Sequence, residues 1–273
     1  MSTPLFSIVM VTLNCADDAE RTARGVLAQT YQDFEYIIKD GGSHDGTVER
    51  LEALGLKVHV AADTGVYSAM NQALAHCTGE YVCFMNAGDQ FGGPEVLKWV
   101  ADTIAAKQQP TFVYGDVATY SAHPELDGGG TPEHPREISY PAKLNRFYLF
   151  RRMICHQAWF LKREAYQALG GFDLRYRLLG DFDLLMRLFA GQGPSYAHVP
   201  TITAIFQGGG LSERKVDLAA AERAGVLATR FSAVERALYG AVYYGGRNLA
   251  RRVIYDWIYP RLSPSMRKRL HGS

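Results

Sequence analysis

The sequence lacks the features that identify several classes of protein. No apolar stretch approaches the ~20 residues that a membrane-spanning helix needs. The N-terminal segment MSTPLFSIVMVTLN has no basic region before its apolar run, so it does not resemble a signal peptide. The 273 residues carry a formal net charge of +1, which argues against nucleic acid or another polyanion as a partner. What remains is an enzyme-sized chain with room for one large domain and an appendage.

Cysteines are few, and phosphate-binding motifs are missing. The four cysteines (Cys15, Cys77, Cys83 and Cys155) show no close spacing, which excludes a zinc site or a disulfide framework and fits reduced cytoplasmic thiols. No GxGxxG follows the first apolar run, and no GxxxxGK[ST] occurs in the chain. A nucleotide site here would therefore consist of carboxylates and strand-edge amides, with a cation supplying the positive charge.

The charge that is present is unevenly distributed. From Arg236 to the C-terminus eight Lys/Arg accompany the single acid Asp256, so this tail carries +7 and the first 235 residues carry −6. Its basic residues are Arg236, Arg247, Arg251, Arg252, Arg261, Arg267, Lys268 and Arg269, and Leu238, Tyr239, Tyr243, Tyr244, Ile254, Tyr255, Trp257 and Tyr259 stand among them. Such a mixture is typical of helices that lie on an anionic membrane without crossing it. The alternative is a basic helix packed on the domain with its arginines in solvent.

The hydrophobic pattern of the first half alternates between strand and helix periods. It predicts strands at 5–14, 34–40, 57–62, 80–86 and 111–117, and helices at 17–29, 45–55, 65–77 and 94–106. Alternation of this kind produces an α/β fold with a mostly parallel, Rossmann-like sheet flanked by helices.

Polar residues follow the predicted strands where a parallel sheet binds its ligands. Thr12 and Asn14 follow the first strand, Asp40 ends the second, and Asn86 to Asp89 follow a later one. Ligands of such sheets bind beyond the carboxyl ends of the strands. Strand ends also tend to be polar without any function, so both interpretations stand at this point.

The stretch YVCFMNAGD (81–89) carries an apolar run directly to one carboxylate, Asp89. Asn, Gly and Asp commonly form the turn that ends a strand. A buried carboxylate, on the other hand, is costly unless it is paired or binds a metal. The residues alone therefore indicate either a turn or a cation site at the edge of the sheet.

Four blocks of the chain together carry a family resemblance. They are SIVMVTLN, DGGSHDGT (40–47), DTGVYSAMNQALAHCTGEYVCFMNAGD (63–89) and GGFDLRYRLLGDFDLLMRL (170–188). Over roughly residues 5 to 210 the chain resembles family-2 glycosyltransferases, which have the GT-A fold. The segment HQAWFLKREAYQALGGFD (156–173) is similar to a subgroup that builds bacterial surface polysaccharides on lipid carriers.

The resemblance implies a division of the chain and a place for the metal. Residues 1–211 would form the GT-A domain, with a nucleotide-sugar half to about 117 and an acceptor half from about 118. Residues 212–273 would form a helical, basic and aromatic membrane-associating region. Family members generally carry a DxD motif where this chain has Asn86-Ala87-Gly88-Asp89, so Asp89, expected at an exposed sheet edge, would alone hold Mn²⁺ or Mg²⁺. One carboxylate can place such an ion, because substrate phosphates and water complete its shell.

The resemblance also implies roles in the donor site. Asp40 would accept a hydrogen bond from the base, Thr12 and Asn14 would line the base and ribose, and Asn86 would lie near the ribose. Asn71 would contact the donor, although a surface or capping role on its helix is an equal alternative. For Asp63 a donor-sugar contact and a structural contact are both open.

Asp181 occupies the position of the catalytic base, since the family's usual Glu-Asp pair stands here as Gly180-Asp181. An acceptor hydroxyl must lose its proton as it attacks the anomeric carbon. Asp181 at a predicted helix start could also act as an N-cap. Asp183 is the second candidate base, and His156 with Gln157 either reaches a substrate or has a structural role.

The implied function is inverting transfer of a hexosyl or N-acetylhexosaminyl group to a lipid-linked saccharide. UDP is favoured over GDP and dTDP on resemblance alone. The expected location is the cytoplasmic face of the inner membrane, as a peripheral protein, and self-association is left open. The alternatives are a degenerate nucleotide-sugar-binding protein and a transferase acting on a soluble or protein acceptor. A nucleotidyltransferase would need a glycine- and lysine-rich N-terminal loop, and none is present.

Overall fold

Strands and helices alternate through the first half of the chain as the hydrophobic pattern predicts. The computed structural model describes residues 3–121, 130–208 and 215–252. The strands are β1 (Phe6–Thr12), β2 (Phe34–Asp40), β3 (Val58–Val60), β4 (Tyr81–Phe84), β5 (Gln90–Phe91), β6 (Phe112–Tyr120), β7 (Arg136–Ile138), β8 (Trp159–Lys162) and β9 (Tyr196–Gln207). The helices are α1 (Ala16–Leu27), α2 (Thr47–Ala53), α3 (Val66–Leu74), α4 (Val96–Ala106), α5 (Arg146–Arg151), α6 (Arg163–Leu169), α7 (Gly180–Leu188), α8 (Val216–Arg230) and α9 (Ala233–Arg252). A short 3₁₀ turn, His156–Ala158, precedes β8.

The strands form one sheet in the order β3-β2-β1-β4-β8-β6-β9-β5, with β7 paired to β6. The first four strands in this order are all parallel, as predicted. Strand β8 then runs antiparallel to both β4 and β6, so the whole sheet is mixed. The reason is that β8 comes from the second half of the chain and is inserted between two strands of the first. The predicted α/β fold with flanking helices is confirmed.

The register of the parallel strands brings their carboxyl ends to one edge. Thr12 pairs with Asp40 across β1 and β2, and β4 ends beside Val9 of β1. The turn 86–89 therefore follows β4 at the same edge that carries Thr12 and Asp40. The sheet thus places the polar residues predicted from the first, second and fourth strands on one side of the molecule.

Strand β1 lies at the centre of the core. All seven of its residues are buried, and Phe6, Ile8 and Met10 are fully enclosed. Burying a side chain of this size contributes roughly 1.5–3 kcal/mol. The backbone before β4 crosses β1 closely at Gly79, where a Cβ would lie 2.6 Å from the Phe6 carbonyl carbon.

The two C-terminal helices pack on α7 and α5. Helix α8 buries Val226, and Arg230 at its end bonds the enclosed carboxylate of Asp183 on α7. Tyr239 of α9 packs its ring against Phe147 and Phe150. Within the described parts of the chain, no helix combines the length and the apolarity needed to cross a membrane.

Candidate functional site

Asp40 anchors the loop that follows β2. Its side chain is buried, and its two oxygens accept four hydrogen bonds, from the Gly42 and Ser43 amides (2.8 and 2.7 Å) and from the Ser43 and Thr12 hydroxyls (2.6 and 2.7 Å). Burial raises the pKa of Asp40, but the bonds from Ser43, Thr12 and Gly42 outweigh it, and the net pKa is below its ordinary value. Since an ionised carboxylate has about four acceptor positions, Asp40 is saturated by its own loop. A bond from Asp40 to the nucleotide base stays a prediction.

Asn14 fastens the same loop from the β1 side. Its amide N–H donates to the Ser43 hydroxyl at 2.8 Å, and its side-chain Oδ1 accepts from the His44 amide at 2.9 Å. Asn14 adopts a left-handed backbone conformation (φ 50°), which asparagine tolerates better than most residues. Thr12 and Asn14 therefore build the rim of the edge, and their contacts with base and ribose remain predictions.

Asp63 forms a buried ion pair below this rim. It bonds the ammonium group of Lys39, which is enclosed in β2, and also accepts from the Gly65 amide at 3.0 Å. A Cβ on Gly41 would come within 3.0 Å of the Asp63 carboxylate. Of the two roles considered for Asp63, the structural one is observed.

The segment after β4 is a turn that also presents a carboxylate. The Asp89 amide donates to the Asn86 carbonyl at 3.0 Å, and Gly88 takes the positive φ (98°) that the turn requires. The Thr22 hydroxyl on α1 donates to the Asp89 carbonyl at 2.7 Å and receives the Gly88 amide at 3.0 Å. The turn in YVCFMNAGD is therefore observed, and the cation site stays a prediction. Asp89 is only 9% exposed, so its expected position at an exposed edge is wrong.

The surroundings of Asp89 suit a cation. Burial raises its pKa to about 6, although the charge of His156 and a hydrogen bond from Gln157 lower it, and the nearby charge of Asp18 adds to the rise. Asn86 Oδ1 is buried without a partner among the described residues. A carboxylate and an amide oxygen are ligands that Mg²⁺ and Mn²⁺ accept. The described residues contain no group of three or more His, Cys, Asp or Glu around one point, so phosphates and water would supply most of the ligands.

His156 connects this turn to the candidate base. Its Nε2 lies 3.2 Å from Asn86 Nδ2, and its Nδ1 lies 3.0 Å from Asp181 Oδ2. A proton on Nδ1 satisfies both contacts, because the ring then donates to the carboxylate and accepts from the amide. Burial lowers the pKa of His156, but the bond and charge of Asp181 and the charge of Asp89 raise it above its ordinary value.

Asp181 is held at the start of α7 by three groups. One oxygen accepts from the Phe182 amide at 2.8 Å and lies 3.0 Å from the Tyr67 hydroxyl, and the other faces His156. The side chain is 5% exposed. The residue that precedes the helix is Leu179, and no side chain caps it, so Asp181 does not serve as the N-cap. The contacts with Phe182, Tyr67 and His156 fix the orientation of the Asp181 carboxylate.

Tyr67 occupies the space that a larger residue at position 180 would need. A Cβ on Gly180 would lie 2.8 Å from the Tyr67 ring. Burial, followed by the charge of Asp181, raises the pKa of Tyr67 well above its ordinary value, so the phenol keeps its proton as a donor. At the position of the first acid of the expected pair this chain thus has Gly180, and the Tyr67 ring from α3 fills the space beside it. Sequence analysis missed Tyr67, since nothing in a single sequence links position 67 to position 180.

Asp183, the second candidate base, is enclosed and fully paired. Arg187 and Arg230 each donate to one of its oxygens at 2.8 Å. Arg187 continues to the carbonyls of Leu169 and Gly171 at 2.5 and 2.8 Å. Asp183 therefore joins α6, α7 and α8 with both of its oxygens occupied, and the role of Asp181 as the base stays a prediction.

Asn71 makes a two-bond clamp between α3 and the loop after α6. Its amide donates to the Phe172 carbonyl and accepts from the Phe172 amide, both at 2.8 Å. Gly171 leaves room for it, because a Cβ there would lie 2.5 Å from Asn71 Oδ1. These contacts join two segments of the fold and are neither those of a surface position nor those of a cap of the helix, and a donor contact stays a prediction.

Glu222 of α8 holds the loop that leads to the base. Its carboxylate accepts from the amides of Arg177, Leu178 and Leu179 at 2.8, 3.0 and 2.9 Å. These amides precede α7, where a negative charge is favourable. Sequence analysis missed this contact, because it joins residues more than forty positions apart.

Comparison with known sequences gives a family and a relative. A family model described as "Glycosyl transferase family 2" matches residues 7–170. A "PGL/p-HBAD biosynthesis glycosyltransferase" of Mycobacterium bovis (strain BCG / Pasteur 1173P2) is 34% identical over 225 residues, which is 80% of this chain and 82% of that protein.

Comparison with solved structures gives the same fold. S. aureus TarS 1–349 in complex with UDP-GlcNAc superposes with a TM-score of 0.62 at 18% identity, over 77% of this chain and 60% of that chain. Glucosyl-3-phosphoglycerate synthase from Mycobacterium tuberculosis in complex with Mg²⁺ and UDP has a TM-score of 0.58 at 16% identity, over 83% and 80%. The shared fold is the GT-A fold.

Proposed function

The chain belongs to glycosyl transferase family 2, and we propose that it moves a sugar from a nucleotide-sugar donor to an acceptor hydroxyl with inversion at the anomeric carbon. The observation that carries the proposal is the juxtaposition of Asp89 and Asp181. His156 bridges the turn of Asp89 and the carboxylate of Asp181 through contacts of 3.2 and 3.0 Å. A site for leaving-group phosphates and a base for the attacking hydroxyl thus lie on one polar network.

The donor diphosphate lies at Asp89 in this proposal. Mn²⁺ or Mg²⁺ held there would neutralise the charge that grows on the leaving nucleotide. The raised pKa of Asp89 and the unpartnered Asn86 Oδ1 support such an ion at this turn. UDP is the favoured nucleotide, a choice that the UDP-bound fold relatives support. Thr12, Asn14 and Asp40 form the rim against which its base and ribose would pack.

Asp181 takes the proton of the acceptor hydroxyl in a single displacement. His156 and the Tyr67 hydroxyl fix the carboxylate, so it needs no reorientation when the acceptor arrives. Holding a catalytic group in its reactive geometry is among the larger contributors to enzyme rates. Because both Asp89 and Asp181 are present, we favour a catalytically active enzyme over a protein that only binds nucleotide sugars.

Release of UDP from UDP-sugars in Mn²⁺, with and without Asp181→Asn, tests this function. Thermal shift with UDP, GDP, dTDP and their sugars first identifies the donor, because a ligand stabilises in proportion to its occupancy. We expect donor hydrolysis or transfer that needs both Asp181 and the metal. Tight donor binding with no turnover in the wild-type protein would instead favour the degenerate binding protein.

The acceptor in this proposal is a lipid-linked saccharide of surface polysaccharide synthesis, reached from the cytoplasmic membrane face. Helix α9 turns an apolar surface outward: Val234, Leu238 and Val242 are 76%, 58% and 55% exposed. These residues recur at helical spacing and share one side of the helix. The basic tail that continues from α9 would add electrostatic attraction of ~1 kcal/mol for each Lys/Arg near an anionic leaflet.

The aromatic and basic side chains of α9 were expected to lie at the membrane surface, but three of them contact the domain instead. Tyr239 packs on α5, Tyr243 lies under the Arg151 guanidinium at 4.6 Å, and Arg236 donates to the carbonyls of Ala228 and Phe231 at 2.9 and 2.7 Å. The described part of α9 therefore exposes aliphatic side chains that could contact a membrane, while Tyr239, Tyr243 and Arg236 pack against the domain. The tail residues from 253 onward lie outside the described residues.

Co-sedimentation with anionic vesicles at low and high salt tests the membrane attachment. A chain truncated after Ala233, and a full chain with Val234, Leu238 and Val242 changed to Asn, should both stay in the supernatant and keep nucleotide binding. Val60→Asn is the matched control, since Val60 is 56% exposed on the far strand β3. Equal sedimentation of all four proteins would refute the attachment and favour a tail packed on the domain or on a second copy.

A further inference from the structure

A cleft of about 510 Å³ opens beside Tyr67, the residue whose hydroxyl contacts the candidate base, and no ligand has been assigned to it above. Its walls are the start of α3 (64–68), the loop before α7 (174 and 176–178) and the start of α8, where Lys215 and Leu218 contribute. This volume falls in the range of roughly 300–1,000 Å³ that is typical of small-molecule sites.

The cleft adjoins one end of a chain of hydrogen-bonded side chains, and the turn 86–89 lies at the other end. Tyr67 and Leu178 both line it, and the Tyr67 hydroxyl lies 2.8 Å from the Leu178 carbonyl and 3.0 Å from Asp181 Oδ1. The network runs from Asn86 through His156 and Asp181 to Tyr67. A molecule in the cleft would thus contact the Tyr67 end of this network, while the proposed donor diphosphate lies at the Asn86 end.

The lining offers two cations and an apolar surface. The Arg177 and Lys215 side chains make no ion pair or hydrogen bond with the described residues, and both residues are exposed. By contrast, the neighbouring Arg175 pairs with Asp173 at 2.6 Å and does not line the cleft. Leu174 and Leu218 are 57% and 36% exposed. Free cations next to exposed aliphatic groups complement an anion carried on an apolar chain.

The wall that carries Arg177 is fixed in place. Glu222 accepts the Arg177, Leu178 and Leu179 amides, which ties this segment to α8, the helix that begins just after Lys215. The bonds to Glu222 therefore fix the backbone of Arg177 relative to α8, the helix that Lys215 precedes. A site ordered before its ligand arrives spends less binding energy on ordering.

We propose that this cleft binds a phosphate group attached to an apolar chain, as the anionic end of the acceptor; the assignment to the acceptor rests on the proposed function. Arg177 and Lys215 neutralise the phosphate, and Leu174 and Leu218 contact the beginning of the chain. Because the donor also carries phosphates, the experiment must separate the two sources.

The test is calorimetric titration of decyl phosphate, below its micellar concentration, into the full chain. It compares wild type, the double variant Arg177→Ala/Lys215→Ala and the control Arg175→Ala, with and without saturating UDP and Mn²⁺. We expect wild type and control to bind decyl phosphate equally and the double variant to bind it at least tenfold more weakly. Decyl glucoside and inorganic phosphate, which each lack one half of the ligand, should bind all three proteins weakly and alike.

Two results would overturn the assignment. If the double variant binds decyl phosphate as wild type does, the cations do not form the site. If it loses affinity for UDP with Mn²⁺ and not for decyl phosphate, the cleft receives the donor diphosphate. Failure of wild type to bind UDP at all would contradict the proposed function, while the decyl phosphate titrations without nucleotide would still decide the role of the cleft.

Discussion

The proposed donor and acceptor sides of the site differ in how many of their contacts lie within one short block of sequence. On the donor side, Asp40 receives three bonds from residues two and three positions away and one from Thr12, which lies 28 positions away on the adjacent strand. On the acceptor side, Asp181 is held by residues 25 and 114 positions away, His156 and Tyr67.

This difference in range separates what a motif encodes from what the fold assembles. Three of the four bonds to Asp40 come from within the block DGGSHDGT, so this block specifies most of the loop, although Thr12 and Asn14 reach it from 28 to 30 positions away. The acceptor side depends on α3, α7, α8 and the turn at His156 arriving at one place. We therefore expect changes on the donor side to act on binding and local stability, and changes on the acceptor side to act on the rate.

Removing the base should have the largest effect on the rate. Asp181→Asn keeps the shape of the side chain and removes its basicity, so transfer should fall by about 10²–10⁴-fold. Donor affinity should stay within about twofold, because His156 separates Asp181 from the turn 86–89 at which the donor diphosphate is proposed to bind. Transfer rates and calorimetric donor affinity measured on one preparation check both. A parallel collapse of donor affinity would make Asp181 a donor-side residue.

Removing the residue that positions the base should have a smaller effect. His156→Ala leaves Asp181 Oδ2 without its ring partner at 3.0 Å, and misplacement of a catalytic group costs up to about 10²-fold in rate. His156→Asn should recover part of this loss, since its amide can occupy the position of Nδ1. The loss should appear in kcat rather than in donor KM. A uniform loss in both variants, with a lowered melting temperature, would indicate a structural histidine.

A change of Asp40 on the donor rim should lower the free energy of unfolding, and the size of this effect should depend on pH. Because the pKa of Asp40 is lowered in the folded state, its charge stabilises the protein above the ordinary pKa of 3.8, and this stability is lost as the pH falls through the folded value. Asp40→Asn should cost roughly 1.5–3 kcal/mol at pH 7, the range for hydrogen bonds to a charged group. Urea unfolding at pH 7 and at pH 3 should show the difference between the two proteins shrinking at the lower pH. A difference independent of pH would mean that the charge of Asp40 contributes nothing.

The sequence predicted the features that depend on local pattern. Strands β1, β2 and β4 and the start of α7 at Gly180 follow from periodicity and from short blocks. The antiparallel β8 between β4 and β6 did not follow, because register between distant segments leaves no local trace. The burial of Asp89 was missed for the same reason: β4 alone does not show that Gln157 and His156 cover it.

Titration of UDP into wild type and Asp89→Asn, in Mn²⁺ and in EDTA, tests most directly whether a cation at Asp89 holds the donor diphosphate. We predict that wild type binds UDP at least tenfold more tightly in Mn²⁺ than in EDTA, and that the variant binds it weakly in both. The variant should unfold at no lower temperature than wild type in EDTA at pH 7, because burial disfavours the Asp89 charge that the change removes. Equal Mn²⁺-dependent binding by both proteins would contradict the account.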